Sequence, residues 1–473
     1  MRNRIINTIG IVTIAIGLNA QTYKIVDTGV KDFYSNEVTI TEPQSGGDYY
    51  GQDAHYEGNQ PSYTNHSNGT ITDNHTGLMW QKDMGSKISY AKAYAKADTL
   101  TLGGHTDWRV PTIKELYSLI LFTGKVKGEM AITMFIDTNY FNQPIGDTTI
   151  GEREIDAQTW SSTQYVGTTM RADTTVFGVN FVDGRIKGYP KYDPKEDTAK
   201  AMYFRLVRGN TDYGINNFKD NENGTISDLA TGLMWQQADD GIGRDWSEAL
   251  MYSDSLTFAV YTDWRLPNAK ELQSIVDYTR CPDITSSPAI DPMFLTTEIQ
   301  DPDGNWGQYP YFWTGTTHLD GTKPASGAVY VAFGEAQGEM NGNLMDVHGA
   351  GAQRSDPKSG DISAYPMFQG PQGDVRYVYN YVRAVRTISS NTHINSSDVQ
   401  QIKVYPTLTS NELTIASKAA GKYKIVDVSG REMIAGYLVS EIMLIDITGL
   451  VNNLYFVIVE TENGIVIEKV IKN

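Results

Sequence analysis

Asn68-Gly-Thr-Ile-Thr-Asp-Asn-His-Thr-Gly-Leu-Met-Trp-Gln-Lys82 returns 155 residues later as Asn223-Gly-Thr-Ile-Ser-Asp-Leu-Ala-Thr-Gly-Leu-Met-Trp-Gln-Gln237, with eleven of fifteen positions identical. Thr106-Asp-Trp-Arg-Val-Pro-Thr-Ile-Lys-Glu-Leu116 likewise returns as Thr262-Asp-Trp-Arg-Leu-Pro-Asn-Ala-Lys-Glu-Leu272. Trp160-Ser-Ser-Thr163 answers to Trp313-Thr-Gly-Thr316, Val179-Asn-Phe181 to Val331-Ala-Phe333, and Arg205-Leu-Val-Arg208 to Arg383-Ala-Val-Arg386. Five blocks in one order are an internal duplication, and a duplication sets the domain count before any other reading. The spacing widens only at the last block, because the second copy carries extra Gly-rich sequence between Gly334 and Arg376.

Within each copy the blocks have a local physical meaning. Gly77 and Gly232 read as turn residues ahead of a Leu-Met-Trp strand. Thr112 with Glu115, and Asn268 with Glu271, have the spacing of an N-cap and its third helical residue; Pro111 and Pro267 stand just before, where no helix is yet running. Asp245 with Glu248 caps an earlier helix over Trp246–Leu256 by the same logic. Ile113, Leu116, Tyr117 and Ile120 give one apolar helical face. Each copy therefore reads strand, helix, capped helix and short strands ending in Val-Arg, which is an α+β class. Trp80, Trp108, Trp235 and Trp264 read as core. Arg109 and Arg265, matched between copies, read as structural partners of Asp107 and Asp263.

The chain of 473 residues is 40% hydrophobic and 20% charged, ordinary globular composition for several domains. Its net charge of −17 lacks the basic footprint of a nucleic-acid binder. One cysteine, Cys281, permits neither an internal disulfide nor a cysteine metal cage. Arg2 and Arg4, an apolar run from Ile9 to Leu18, and Ala20 have the order of a signal peptide over residues 1–20, with cleavage expected near Ala20. No other segment has transmembrane length, so the mature chain is expected to be exported. The first repeat is assigned to 21–209, the second to 210–387, and a Ser/Asn/Thr-rich linker to 388–400. Residues 401–473 alternate short β-branched runs with turns, as in a small Ig-like β-sandwich.

Two resemblances extend this reading. Val404-Tyr405-Pro406, Tyr423-Lys-Ile-Val-Asp-Val-Ser-Gly-Arg431, Ile445-Asp-Ile-Thr-Gly-Leu450, Leu454-Tyr-Phe-Val457 and Lys469-Val-Ile-Lys-Asn473 resemble the type A sorting domain of the bacterial type IX secretion system. Thr407-Leu408 stands where that family usually has Asn-Pro. The resemblance implies export through that machinery, with residues 401–473 as the contact to it. Residues 22–387 resemble the domain of unknown function 1566, the family of the C-terminal domain of collagen-like bacterial adhesins. Its motifs here are Tyr49-Tyr-Gly-Gln-Asp-Ala54, both Thr-Gly-Leu-Met-Trp blocks, both Asp-Trp-Arg-x-Pro-x-x-Lys-Glu-Leu blocks, and the paired Val-Arg endings. The second copy adds Ala289-Ile-Asp-Pro292, Asp346-Val-His-Gly-Ala-Gly-Ala-Gln-Arg-Ser-Asp-Pro-Lys358 and Gly370-Pro-Gln-Gly373. That resemblance implies two tandem C-type-lectin-like domains and an adhesin that binds sulfated glycans.

Charge argues against the sulfated ligand. Residues 21–209 hold 19 basic and 23 acidic side chains, whereas residues 210–390 hold 11 and 24. A polyanion is repelled from the second repeat on average, and a neutral glycan stacked on exposed aromatics fits at least as well. Lys187, Lys191 and Lys195 form one candidate basic cluster in the first repeat, although a solvated loop is the preferred reading of them. In the second repeat, His348, Arg354, Asp356 and Lys358 lie among small residues, as in a ligand-binding loop or a structural one. Asp346, Asp356 and Asp361 are the oxygen ligands a calcium ion would use, although no fixed-spacing motif frames them. Asp220–Thr225 is not an EF-hand loop, because Lys219 occupies the first ligand position. Serine-hydrolase, P-loop and dinucleotide motifs are absent. The expected function is non-catalytic: recognition of a glycan or surface protein at the cell surface or after secretion. A structural part of a surface assembly and a carbohydrate-active hydrolase are the alternatives.

Overall fold

The computed structural model describes residues 21–126, 132–170, 173–193, 198–388, 402–417, 419–427, 431–461 and 464–473. The leader, the linker beyond residue 388, Lys195, the Ser429-Gly430 turn and Asn463 lie outside them. The chain divides into two compact units, one holding both repeats through Arg386 apart from Thr257–Tyr261, and one holding that short segment and the C-terminal domain.

The first repeat opens with a hairpin ladder of β1 (Tyr63–Asn65), β2 (Thr70–Asp73) and β3 (Leu78–Gln81). Gly77 at φ 71° turns the chain between β2 and β3, a conformation that glycine adopts without strain. β4 (Ile88–Ser89), α1 (Tyr90–Thr99) and α2 (Ile113–Tyr117) follow, then β5 (Gln158–Thr169), β6 (Asp173–Asn180), β7 (Arg185–Pro190), β8 (Ala201–Phe204) and β9 (Val207–Gly209). The second repeat repeats this order with β10 (Phe218–Asp220), β11 (Thr225–Asp228), β12 (Leu233–Gln236), α3 (Trp246–Ser255), α4 (Ala269–Ser274), β13 (Tyr311–His318) and β14 (Gly327–Ala332). Its added sequence contributes β15 (Gln337–Met340), β16 (Asn343–Asp346), β17 (Gln353–Pro357), β18 (Phe368–Gln369) and β19 (Asp374–Val375), and β20 (Val385–Thr387) closes it. Full capping boxes start α2, α3 and α4: the Thr112, Asp245 and Asn268 side chains accept from the third helical N–H, and Glu115, Glu248 and Glu271 reach back.

The two repeats share one eight-stranded sheet, ordered β13-β14-β17-β7-β6-β5-β8-β4. The third strands of the two copies meet at its centre, antiparallel, with Gln353 opposite Ile186. Flanking four-stranded sheets, β9-β3-β2-β1 and β10-β11-β12-β20, repeat the symmetry, whereas β16-β15-β19-β18 exists only in the second copy. Because side chains alternate across a strand, the large sheet has two unlike faces. One face buries Phe177, Val179, Ile186, Phe312, Val329 and Val331 in a core that also takes Leu116, Leu272, Trp80 and Trp235. The other carries two separate aromatic clusters: Trp160, Tyr189 and Phe204 against Ala93 and Ala97 of α1, and Tyr311, Trp313 and Tyr330 against Trp246 and Leu250 of α3.

The α+β expectation, with its two tandem C-type-lectin-like domains, is overturned. Strand makes up 39% and helix 11%, and the five helices among the described residues, the fifth being Pro282–Thr285, are short, so the fold is β-rich. The apolar spacing over Ile113–Ile120 stops being helical after Tyr117, because Ser118 and Leu119 turn the chain and Ile120 lies beyond the turn, with Leu119 and Ile120 both buried. The long hairpins that follow dominate each repeat.

The C-terminal unit is all β. A three-stranded sheet of β21 (Lys403–Tyr405), β23 (Glu412–Ala416) and β26 (Ile442–Asp446) accompanies a five-stranded one. The latter is ordered β22 (Leu408–Thr409), β28 (Gly464–Lys472), β27 (Asn453–Thr461), β24 (Gly421–Asp427) and β25 (Glu432–Leu438). Val404, Leu413, Ile415 and Ile445 from the first sheet and Ile425, Tyr455, Val457 and Val470 from the second form one core.

Candidate functional site at the seam between the repeats

The matched arginines have different partners from those expected. Arg109 donates to Glu115 at 2.6 and 2.5 Å, and Arg265 to Glu271 at 2.6 Å twice. Glu115 and Glu271 point back over the N-caps to complete the capping boxes, which places both carboxylate oxygens within reach of the arginine. Asp107 and Asp263 pair instead with Arg208 and Arg386 of the Val-Arg endings, at 2.7 Å each. Trp80, Trp108, Trp235 and Trp264 are all buried.

The His348–Lys358 segment is not one open loop, since Gln353–Pro357 is a central strand of the large sheet. Register makes its position meaningful. Trp160 faces Gly178, which faces Lys187; in the second repeat Trp313 faces Tyr330, which faces Arg354. Lys187 and Arg354 are thus equivalent residues on one sheet face, meeting at the seam between the two aromatic clusters. Asp374 of β19 lies against them. Arg354 Nη2 donates to Asp374 Oδ2, Arg354 Nη1 lies 2.6 Å from His348 Nε2, and that same nitrogen lies 2.8 Å from Asp374 Oδ1. His348 is buried with Nδ1 unpartnered, and Arg185, opposite Asn180 on β7, pairs with Asp183 at 3.5 Å and with Asp320.

The electrostatics follow from this crowding. Burial and then Arg354 push His348 down to about 3, so it is neutral. Burial alone would raise Asp374, but Arg354 and His348 overcome it and hold that carboxyl well below the usual range. Burial, then Arg354, lowers Lys187 to about 7. The half-buried Lys187 ammonium donates no hydrogen bond to any described residue. The arrangement is a cluster of paired charges built from both repeats, in which Arg185 and Arg354 are neutralised by Asp183, Asp320 and Asp374, and Lys187 is the cation without an ion-pair partner among the described residues.

The remaining sequence candidates go elsewhere. Asp356 is buried and accepts from Asn380 Nδ2 at 3.2 Å and from two backbone N–H groups; burial raises it to about 6. Lys358 is buried over the Trp246 ring at 3.9 Å with its ammonium 3.0 Å from the Ser35 carbonyl oxygen. Asp346 accepts from Tyr165 at 2.6 Å, and Asp361 is exposed and binds Ser363. The three aspartates offered for calcium therefore do not converge. Among the described residues no three His, Cys, Asp or Glu side chains form a set that could hold a metal ion. Lys191 lies against Tyr90 and Gln164, away from the seam contacts of Lys187. Sequence reasoning missed Asp374, whose two-residue strand has no pattern to detect.

Fold and site together define a β-rich duplicated module, sealed through a shared sheet and accompanied by an all-β C-terminal domain. Residues 69–208 and 224–348 match the Lcl C-terminal domain, and residues 403–473 match the secretion system C-terminal sorting domain. The chain belongs to the Lcl C-terminal domain family and carries a type IX sorting domain. No curated protein matches it. Among solved structures it is similar to PorZ, described as an essential bacterial surface component of the type-IX secretion system of Porphyromonas gingivalis. That match has 11% identity and a TM-score of 0.14, covering 92% of this chain and 61% of that one. The chain thus spans less than two thirds of that structure, and a likeness so slight bears no weight on the fold. The sorting domain makes this a secreted or cell-surface protein. Among the described residues no helix is long and apolar enough to cross a membrane.

Proposed function

We propose that this secreted or surface protein is a non-catalytic binding protein whose ligand is a glycan or a surface protein, engaged at the seam between the repeats. The observation that carries this reading is Lys187. Its ammonium has no hydrogen-bond partner among the described residues and stays open to solvent, at a position the duplication matches with Arg354. A ligand acceptor completes it. Asp374 beside it supplies an acceptor for ligand hydroxyls, so the spot suits a polar, hydroxylated ligand. The sorting domain would bring the site to the outer surface through the type IX machinery.

The test is a glycan array probed with the exported chain, with calcium and with chelator. Reproducible binding that Lys187→Ala abolishes, in a protein that melts like the wild type, is the expected result. A blank array under both conditions, with self-association or binding to envelope proteins instead, moves the function to a structural role. Progressive cleavage of an arrayed glycan returns the hydrolase alternative.

A further inference from the structure

Seven of the eight tryptophans are buried; Trp306 is 68% exposed and has no tryptophan counterpart in the first repeat. Its loop is ordered. Asp301 N donates to Asn305 O at 2.9 Å, Asn305 N returns to Asp301 Oδ1 at 2.8 Å, and Gly304 N reaches Asp301 O at 2.9 Å. Ile299 and Gln308 exchange backbone bonds of 2.7 and 3.3 Å across the base. Gly304 and Gly307 take φ of 87° and 104° on either side of the indole. Fixing a large aromatic in water adds nothing to folding, because the apolar surface stays wet.

The loop's base leads into a hydrogen-bonding cluster. Gln308 and Gln337 both donate to Glu335 Oε2, at 3.3 and 3.1 Å. Gly334 lets Gln308 approach: a Cβ there would lie 2.1 Å from its Oε1. Burial, then Asp283 and Asp301, raises Glu335 against the opposing bonds from Gln337 and Gln308, and burial followed by Asp301 raises Tyr377. Gln337 Oε1 is buried without a donor, and Glu335 Oε1 receives no bond from the described residues. Acceptors are thus in excess, which calls for hydroxyl donors and repels anions. The whole second repeat points the same way, with 11 basic against 24 acidic side chains over residues 210–390.

We propose that Trp306 and the Glu335–Gln308–Gln337 cluster form a subsite for one ring of a neutral polysaccharide. The indole stacks on the apolar face of the sugar, and ring hydroxyls donate to Glu335, which the two amides hold in place. This deepens the binding reading above by naming an uncharged saccharide and a second, separate contact for it.

The experiment is affinity electrophoresis of the full exported chain through gels containing mannan, xylan or β-glucan, with heparin and chondroitin sulfate as polyanionic controls. At least one neutral polymer is expected to retard the protein, equally at low and high salt. Trp306→Ala should weaken that retardation about tenfold or more, and Trp306→Phe should keep part of it. Glu335→Gln should weaken it as well. Both Trp306 variants should melt like the wild type, since the side chain packs on so little. Retardation by a neutral polymer that Trp306→Ala leaves unchanged overturns the subsite while leaving the binding reading intact. Retardation by the sulfated polymers alone, lost in Lys187→Ala, does the same. No retardation by any polymer overturns the subsite and leaves a surface protein as the ligand of the binding reading.

Discussion

Lys114 Nζ lies 2.6 Å from the carbonyl oxygen of Ser274, and the second repeat returns the contact: Lys270 Nζ lies 2.9 Å from the carbonyl oxygen of Ser118. Lys114 and Lys270 hold the same place in the Lys-Glu-Leu motif, and Ser118 and Ser274 lie at the ends of the two short helices that this motif starts. Terminal carbonyls of a helix lack partners within it, so each helix is completed by a lysine from the other copy. The remaining acceptors are neutral too: Asn216 Oδ1 and the Gly214 carbonyl for Lys114, the Asp27 carbonyl for Lys270. Neither repeat satisfies these groups by itself, which explains why the duplicated halves form one unit.

Lys270→Met keeps the length of the side chain and leaves two buried carbonyls without donors, a cost of roughly 1–3 kcal/mol at neutral pH. Burial lowers both lysines to about 8. An unfolded lysine titrates near about 10.4, so between about pH 8 and pH 10 the unfolded chain holds more protons and stability rises with pH. Urea midpoints at about pH 7.5 and about pH 9.5 should show that rise in the wild type and a smaller one in Lys270→Met. Equal slopes in the two proteins would refute the assignment.

The two capping-box ion pairs differ in burial, and their variants should rank accordingly. Arg265 and Glu271 are each 10% exposed, whereas Arg109 is 31% exposed beside a buried Glu115. Glu271→Gln leaves Arg265 without its counter-charge in a dry site, a loss of about 3–5 kcal/mol. Glu115→Gln should cost less, because water reaches Arg109. Thermal melts of the pair decide it, and a larger drop for Glu115→Gln would contradict the ranking.

The duplication and its caps were legible in the sequence because both are local. A Ser/Thr/Asn/Asp with Glu three residues on needs no tertiary context to cap a helix, and Thr112, Asp245 and Asn268 all do so. The joining of the copies is non-local. Nothing in the alternation of Arg185–Pro190 or Gln353–Pro357 states that one edge pairs with the other, and the small residues around His348 read as loop although five residues on the chain is a strand. The helix content was overstated because Leu119 and Ile120 are apolar for the core and not for a third helical turn. Arg109 was matched to Asp107 by adjacency, where the capping geometry of Glu115 decides the partner.

Asp53 ties the N-terminal extension to β13 by accepting from Thr28 at 2.7 Å and from Thr316 at 2.6 Å. Burial raises it to about 7, with both threonine bonds opposing. Its unfolded value is near about 3.9, so the folded state holds the extra proton between these values. Stability from this group is full below about pH 4 and is lost as pH rises through about 7. Asp53→Asn keeps an acceptor for the threonines and removes the titration. Its melting temperature should fall less than that of the wild type between about pH 5 and about pH 8; an identical fall would show that Asp53 is ionised throughout.

At the seam, Arg354 sets the charge of both neighbours, and Lys187 reports it. Burial lowers the Lys187 ammonium to about 7, and Arg354 is the next cause, with Asp374 opposing. Arg354→Gln removes a positive neighbour and should raise the Lys187 pKa. Asp374→Asn removes a negative one and should lower it, and also leaves the arginine, 12% exposed, without its carboxylate, at about 3–5 kcal/mol. The folded pKa of Asp374 is depressed, so its contribution is complete above about pH 4 and disappears as pH falls through the folded value. Titration of the Lys187 side-chain carbon resonance by NMR in the wild type and both variants reads the field directly. Movement in opposite directions is the expected pattern, and an ordinary lysine pKa near about 10.4 in all three would mean that Lys187 is solvated and the seam carries no special charge. A bound acidic or hydroxylated ligand should raise the same resonance's midpoint, because an acceptor at Lys187 favours its protonated form.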